Sequence, residues 1–211
     1  MQCCAIRKRS RPDVPASLSV RADFTEVRRY LTAVQRRQLP FATSLALNRT
    51  AVDVQKNVQK GMQRDLDRPT RFTVKGIQYF RATKRNLTAV VFIEAKRYEY
   101  LRLNIEGGTR RPKRRVILIG LGRRNRYGNI PGFRQLRSRL LARADHFEAE
   151  INGAAGIWRR YKRKPPKLVV AYVDEAQYRP RFRYYERAGK TANARFREHF
   201  LRALEQALRT G

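Results

Sequence analysis

Apolar residues recur at helical spacing in the first third of the chain, and this pattern predicts two helices. The first is predicted over residues 24–38, after a capping-box-like pair of Asp23 and Glu26. The second has a stripe at steps of four, three, four and four, which predicts a largely buried face: Leu47, Ala51, Val54, Val58 and Met62. Pro40 either kinks the first helix or lies in the first turn of the second.

After Pro69 the pattern changes to the alternation that is typical of β-strands. Segments rich in Val, Ile, Phe, Tyr and Thr predict consecutive antiparallel strands over residues 71–75, 77–83, 87–94 and 98–105. A short buried strand is predicted over residues 116–119. It would lie within one long basic loop, which we expect to project from the domain over residues 107–132.

The last third of the chain predicts helix, hairpin and helix. Helical spacing returns over residues 133–151, and apolar runs at Ile157–Trp158 and Leu168–Val173 flank a basic turn, which predicts a hairpin. An amphipathic helix is predicted over residues 185–209. The order indicates an α+β fold, with N-terminal helices, an antiparallel sheet with long basic loops, and a C-terminal amphipathic helix.

Chain length favours one domain with a tail. The 211 residues are 42% hydrophobic, which is enough for one core, so we expect a single domain over residues 21–211. Residues 1–20 combine cations, prolines and small residues, which predicts a flexible basic arm. Cys3 and Cys4 are adjacent and could form only a strained disulfide, which indicates an intracellular protein. No apolar run is long enough for a membrane helix or a signal peptide, so we expect no membrane partner.

Charge narrows the classes of partner. The net charge is +32, from 49 basic and 17 acidic residues, and 38 of the basic residues are arginines. Between Gly107 and Ala144 there are twelve cations and no carboxylate: Arg110, Arg111, Lys113, Arg114, Arg115, Arg123, Arg124, Arg126, Arg134, Arg137, Arg139 and Arg143. Six more follow in the predicted hairpin: Arg159, Arg160, Lys162, Arg163, Lys164 and Lys167. Such a stretch is either a solvated surface or, as we favour, a contact for nucleic acid or for an acidic protein.

The candidate catalytic groups do not form a convincing constellation. His146, Glu148 and Glu150 are two residues apart, and on the predicted helix such residues would point away from one another. Asp174 and Glu175 could hold a metal in a basic nuclease, but no other carboxylates are grouped near them. Gly120 and Gly122 lack a third glycine at dinucleotide-loop spacing. We therefore expect no enzyme activity, metal or cofactor.

Three short motifs resemble the minor tail protein Z family of tailed bacteriophages. They are the helical run Ala46-Leu47-Asn48-Arg49-Thr50-Ala51, the run Asn129-Ile130-Pro131-Gly132-Phe133, and the terminal helix around Phe196–Leu201. The resemblance lies in the layout of these motifs over residues 24–209. It implies a structural tail-completion or neck protein of the virion, assembled in the host cytoplasm and then held at the head-proximal end of the tail.

The resemblance also implies partners. The chain would form a ring, a hexamer by resemblance, that meets the tail terminator or tail tube, the end of the tape measure protein and the head–tail connector. Genomic DNA in the channel is a further expected partner, for which a cationic surface suffices because phosphate contacts carry no sequence information.

A general nucleic-acid-binding protein, such as a ribosome-associated factor, is the alternative hypothesis. Aromatic residues interleaved with cations could stack on single-stranded bases: Trp158, Tyr161, Tyr172, Tyr178, Tyr184 and Tyr185. Packing in the core or at an interface is the commoner use of such rings, and it is what we expect of most of them.

Overall fold

Helices and antiparallel strands share the chain, which confirms the α+β class. The computed structural model describes residues 4–7, 16–22, 33–112, 117–122 and 124–209. The strands are β1 (Cys4–Arg7), β2 (Ala16–Ala22), β3 (Ile77–Phe80), β4 (Thr88–Ile93), β5 (Gly108–Arg110), β6 (Ile117–Gly120), β7 (His146–Ile151), β8 (Ala154–Arg159), β9 (Lys167–Val173) and β10 (Ala176–Tyr178). The helices are α1 (Ala33–Asp65), α2 (Arg71–Val74), α3 (Ala95–Glu106), α4 (Leu136–Leu141) and α5 (Tyr184–Arg209).

The chain divides into two compact units rather than the single domain expected for residues 21–211. The terminal unit comprises Met1–Ile105 and Arg181–Gly211, and the central unit comprises Glu106–Pro180. The central unit is thus inserted between the two ends of the chain. Hydrophobic burial separates the units, because each has its own cluster of buried apolar side chains. No helix within the described residues is long and apolar enough to cross a membrane.

The terminal unit packs α1 and α5 against a four-stranded antiparallel sheet in the order β1-β2-β4-β3. The predicted stripe on α1, from Leu47 to Met62, is buried as expected. The facing side of α5 is rich in alanine, and small side chains such as Ala188 and Ala192 let the two helices approach closely. The two predicted helices are continuous from Ala33 through Pro40 to Asp65, while residues 24–32 of the first prediction lie outside the described residues.

The flexible arm predicted for residues 1–20 is wrong in both parts that the structure describes, because residues 4–7 form β1 and residues 16–20 belong to β2. Ala16–Ala22 forms β2, the strand that pairs with both β1 and β4, and Leu18 and Val20 are buried beneath the helices. Alternation of Ala16, Leu18, Val20 and Ala22 carried this signal. The cations and prolines before residue 16 led us to assign the whole of residues 1–20 to a flexible arm in spite of this alternation.

Two predicted strands of the terminal unit are helices. Residues 71–74 form α2, where the Thr70 hydroxyl caps the helix by accepting from the Thr73 amide at 3.2 Å. Residues 98–105 lie in α3, and the apolar residues Tyr98, Leu101 and Ile105 meet the core at helical spacing. Aromatic β-propensity was outweighed there by burial of one helical face. The strands predicted over 77–83 and 87–94 are confirmed, with slightly shorter bounds, as β3 and β4.

The central unit is built on a second antiparallel sheet in the order β6-β9-β8-β7, with a separate ribbon of β5 and β10. The predicted hairpin is confirmed as β8 and β9, and β6 confirms the short buried strand. The helix predicted over 133–151 is wrong beyond its start. A short 3₁₀ turn and α4 end at Leu141, and residues 146–151 form β7, which pairs along its whole length with β8. The basic loop predicted over residues 107–132 also contains a strand that was not predicted, β5, which pairs with β10.

Candidate anion-binding surface

Arginines from two segments of the central unit surround one pocket, which we call the arginine pocket. Its volume is about 590 Å³. Four exposed arginines line it, Arg124 and Arg126 from the loop after β6 and Arg139 and Arg143 from α4 and the turn behind it. The remaining lining residues are Gly122, Asn125, Ile130, Pro131, Leu136, Leu140 and Val169. Among the lining residues that the structure describes there is no carboxylate.

The loop that carries Arg124 and Arg126 is held in shape by its own hydrogen bonds. The Asn125 side-chain oxygen accepts from the amides of Tyr127 at 2.9 Å and of Asn129 at 3.0 Å. The Asn125 and Gly128 amides close the turn by donating to the carbonyls of Asn129 and Asn125. An asparagine side chain in such a turn accepts hydrogen bonds from backbone amides that have no carbonyl partner, which is why asparagine is common there. The two arginines therefore project from an ordered turn.

Contacts between α4 and the loop after β6 hold the two sides of the arginine pocket together. Arg139 donates to the Pro131 carbonyl at 3.1 Å. Gly132 has a φ of 65°, and a side chain there would also come within 2.8 Å of the Arg139 guanidinium. Gly120 leaves room for the Ile130 side chain, which packs with Leu136 and Leu140. The floor of the pocket is thus apolar while its rim is cationic.

Not every predicted cation is available to a ligand. Arg137 makes two hydrogen bonds to the Glu148 carboxylate, at 2.8 and 3.2 Å, and Arg159 donates to Asp145 at 2.9 Å. Arg160 lies over the Phe147 ring, with 4.9 Å between the guanidinium and the ring centre. In contrast, the side chains of Arg124 and Arg143 have neither a hydrogen bond nor an ion pair to any residue that the structure describes. These two cations are therefore the least satisfied members of the pocket.

The end of the β8–β9 hairpin forms a second cationic surface, which we call the hairpin tip. It comprises Arg160, Tyr161, Lys162, Arg163, Lys164 and Lys167, all exposed. Residues 159–167 contain no carboxylate. The paired strands, whose register joins Ile157 to Val170, give the tip a fixed base. On the ribbon of β5 and β10, Arg110 and Arg111 are exposed as well. Lys113, Arg114, Arg115 and Arg123 lie outside the described residues.

Glu148 is the centre of a small polar cluster that the sequence did not reveal. Arg137 holds the pKa of the Glu148 carboxyl below its ordinary value, and the Tyr172 hydroxyl, which also donates to Glu148, adds to this effect. Burial, followed by the bond to Glu148, raises the pKa of Tyr172. Arg137 and Glu148 are eleven residues apart, too far to touch on the single helix predicted for residues 133–151. They meet because β7 folds back beside α4.

The candidate metal ligands take other roles. Because β7 is a strand, His146, Glu148 and Glu150 share one face, so our reason for separating them was wrong. Nevertheless, the buried His146 ring bonds to Asp145 at 2.7 Å, which is the main cause of the lowered pKa of Asp145. Across the described ranges, no group of three His, Cys, Asp or Glu side chains could hold a metal ion. Asp174 and Glu175 lie in the turn between β9 and β10.

Three of the aromatic residues considered for base stacking are engaged in packing. The buried Trp158 donates its indole N–H to the Ala149 carbonyl at 3.0 Å. Tyr184 is fully buried in the terminal unit, donates to the Val91 carbonyl at 2.8 Å, and lies edge-on to Tyr185. Tyr161 is the exposed exception, at 38%, and Arg159 lies over its ring. These contacts confirm packing as the role of Trp158, Tyr184 and Tyr185.

The cations are evident in the sequence, but the pocket that they surround is not. Ile130, Leu136, Leu140 and Val169 come from three separate segments, and only the tertiary fold brings them together. The Asn125 turn had a readable signal in its spacing of Asn, Gly and Asn. Comparison with known protein families, with characterised proteins and with solved structures finds no match to this chain.

Proposed function

We propose that this protein binds the phosphate backbone of duplex DNA without reading its sequence, as a structural tail-completion or neck protein of a tailed bacteriophage. The observation that carries the proposal is the hairpin tip, where Lys162, Arg163, Lys164 and Lys167 are exposed on a paired hairpin, with no carboxylate between residues 159 and 167. Such a cationic surface attracts phosphate groups electrostatically, and it makes no contacts that would distinguish one base from another. The proposed role is non-enzymatic.

The biological setting rests on the resemblance to minor tail protein Z. A ring of copies at the head–tail junction would surround DNA of every sequence in turn, so its lining needs charge rather than specificity. The terminal unit, with its large core and its long helices α1 and α5, is suited to be the part that carries ring contacts. Electron microscopy of the purified virion tests this setting by locating the chain. Its absence from the head–tail junction would overturn it.

The ribosome-associated alternative depends on aromatic stacking with single-stranded bases. Burial of Trp158 and Tyr184 leaves Tyr161 as the exposed ring next to the hairpin cations. One ring is a small stacking platform, since single-strand binders use several successive rings. The charge of the hairpin tip is therefore better explained by a duplex backbone than by single-strand stacking.

A charge-matched pair of variants tests DNA contact at the hairpin tip. In the first, Lys162, Arg163 and Lys164 are changed to Gln; in the control, the exposed Lys56, Lys60 and Arg64 of α1 are changed to Gln. Affinity for a duplex of arbitrary sequence is measured by fluorescence anisotropy over a range of salt concentrations. The first variant should reduce the slope of log affinity against log salt by about two to three, because each lost phosphate contact removes about 0.9.

The control variant should leave this slope nearly unchanged, since α1 carries no phosphate contact in the proposal. Equal losses in the two variants would mean that DNA responds to net charge alone, and the hairpin tip would lose its assigned role. Two duplexes of different sequence should bind with the same affinity. A strong preference for one of them would contradict backbone recognition.

A further inference from the structure

The arginine pocket differs from the hairpin tip in having an apolar floor. Leu136 and Leu140 are buried at its base, and Ile130 and Val169 are partly buried beside them. A DNA backbone presents sugar and phosphate to a protein and gains little from a recessed aliphatic surface. A ligand that uses both parts of this pocket needs an apolar group flanked by negative charges.

The chemistry of the lining disfavours a nucleotide as that ligand. No aromatic ring is among the described residues that line the pocket, so a base would lack the aromatic stacking partner that nucleic-acid sites generally supply. In the described lining, Asn125 alone has a side-chain amide, and its oxygen already accepts from the backbone amides of Tyr127 and Asn129. The pocket therefore has little with which to recognise a base edge.

An aliphatic side chain with neighbouring carboxylates meets all of these conditions. About 590 Å³ is within the usual range for ligand pockets and accommodates one or two Leu-sized side chains. Arg124 and Arg143, which lack partners within the described chain, can each pair with a carboxylate in bidentate fashion. The loop is held in shape by Asn125 and Arg139, so little ordering is needed on binding.

We propose that the arginine pocket is a docking site for a protein partner, which inserts an aliphatic side chain between carboxylates of an acidic segment. The charge complementarity of the four-arginine rim selects the acidic character, and the floor of Ile130, Leu136, Leu140 and Val169 selects the aliphatic one. The two cationic surfaces of the central unit then have different partners, DNA for the hairpin tip and protein for the pocket. This inference does not depend on the proposed DNA contact.

The test uses the full-length protein and labelled hexapeptides in a salt concentration of about 0.15 M, where non-specific attraction is partly screened. The probe peptide is Asp-Glu-Leu-Leu-Asp-Glu, and the comparison peptide of equal charge is Asp-Glu-Ser-Ser-Asp-Glu. We expect the Leu peptide to bind about tenfold more tightly, because two buried Leu side chains replace two hydroxyls. Equal binding of the two peptides would overturn the proposal.

Paired variants locate the binding. Changing Arg124 and Arg143 to Ser should lower the affinity for the Leu peptide by about tenfold. Changing Lys162 and Lys164 to Ser removes the same charge at residues that do not line the pocket, and should leave peptide affinity within about twofold. The indole fluorescence of Trp158, the single tryptophan, checks that the central unit is folded in both variants. Equal losses in the two variants would contradict binding in the pocket.

A nucleotide arm completes the experiment. A 5′-phosphorylated thymidine dinucleotide should bind more weakly than the Leu peptide, and its affinity should not depend on Arg124 and Arg143 more than on Lys162 and Lys164. If the dinucleotide instead bound at least as tightly as the peptide and lost affinity only in the Arg124 and Arg143 variant, the pocket would be a nucleotide site and the proposed protein partner would be wrong.

Discussion

The two units of this chain are similarly basic but have hydrophobic cores of different size. Basic residues outnumber acidic ones by 30 to 11 in the terminal unit and by 19 to 6 in the central unit, so composition hardly separates them. The terminal unit buries one large cluster between α1, α5 and a sheet, whereas the central cluster has four buried members among the described residues: Leu136, Leu140, Ile157 and Val170. The two units therefore have similar ratios of basic to acidic residues but very different hydrophobic cores.

The use of carboxylates also differs. In the terminal unit, Asp53 and Asp65 of α1 bond to His199 and Arg187 of α5, which ties the two helices together. In the central unit, carboxylates neutralise Arg137 and Arg159, while the cations of the arginine pocket and the hairpin tip have none beside them in the sequence. Cations that are left uncompensated repel one another, and a partner relieves that repulsion. Local pairing, rather than total charge, therefore distinguishes the two surfaces to which we assign partners.

The largest expected effect distinguishes the two cores. Leu47→Ala, in the terminal core, should lower the free energy of unfolding by about 2–5 kcal/mol because it leaves a cavity in a fully buried site. Ile157→Ala, in the small central core, should destabilise mainly its own unit. Urea unfolding is followed by helical circular dichroism, which is dominated by α1 and α5, and by Trp158 fluorescence, which reports the central unit.

In Leu47→Ala the circular dichroism midpoint should fall, and in Ile157→Ala the Trp158 midpoint should fall while the circular dichroism midpoint changes little. Coincident shifts of both probes in both variants would show that the units unfold as one cooperative body. The difference in core size would then not correspond to a difference in stability between the two units.

A smaller effect is expected at the ion pair that ties the ends of α1 and α5. Arg187 donates to both oxygens of Asp65 at 3.2 and 3.0 Å, and the two side chains are only 22% and 19% exposed. Asp65→Asn should cost roughly 2–3 kcal/mol, because it leaves a largely buried guanidinium without its counter-charge. Glu198→Gln, which breaks exposed pairs with Arg195 and Arg202, is the control and should change the free energy of unfolding little, because solvent screens exposed pairs. Similar costs in thermal unfolding would argue against a special role for the Asp65 pair.

The smallest effect concerns pH in the central unit. The folded pKa of Glu148 is lowered from 4.5, chiefly by Arg137, so its contribution to stability is present above pH 4.5 and is lost as pH falls through the lowered value. The pair is exposed, which limits this contribution to less than about 1 kcal/mol. Glu148→Gln should therefore reduce the acid sensitivity of the Trp158 unfolding midpoint below pH 4.5. An unchanged pH profile relative to Glu150→Gln would exclude Glu148 as a contributor.

The sequence by itself determined the elements whose apolar period is long and unambiguous. The stripe of α1 and the face of α5 extend over many turns, and the alternation of β8 and β9 is bounded by a Pro-rich basic turn. In these segments local pattern and tertiary burial agree, so either one predicts the other. The sequence also determined which residues supply the excess positive charge, because that is a matter of composition alone.

Only the tertiary structure decided the segments with short or mixed patterns. Residues 98–105 have the composition of a strand, yet one helical face meets the core, and residues 146–151 have helical spacing, yet they pair with β8. A run of six to eight residues fits both periods, and the partner it finds determines which one is used. For the same reason, the arginine pocket could not be foreseen, because its floor and its rim come from segments that are distant in sequence and meet only when β6, α4 and β9 are in place.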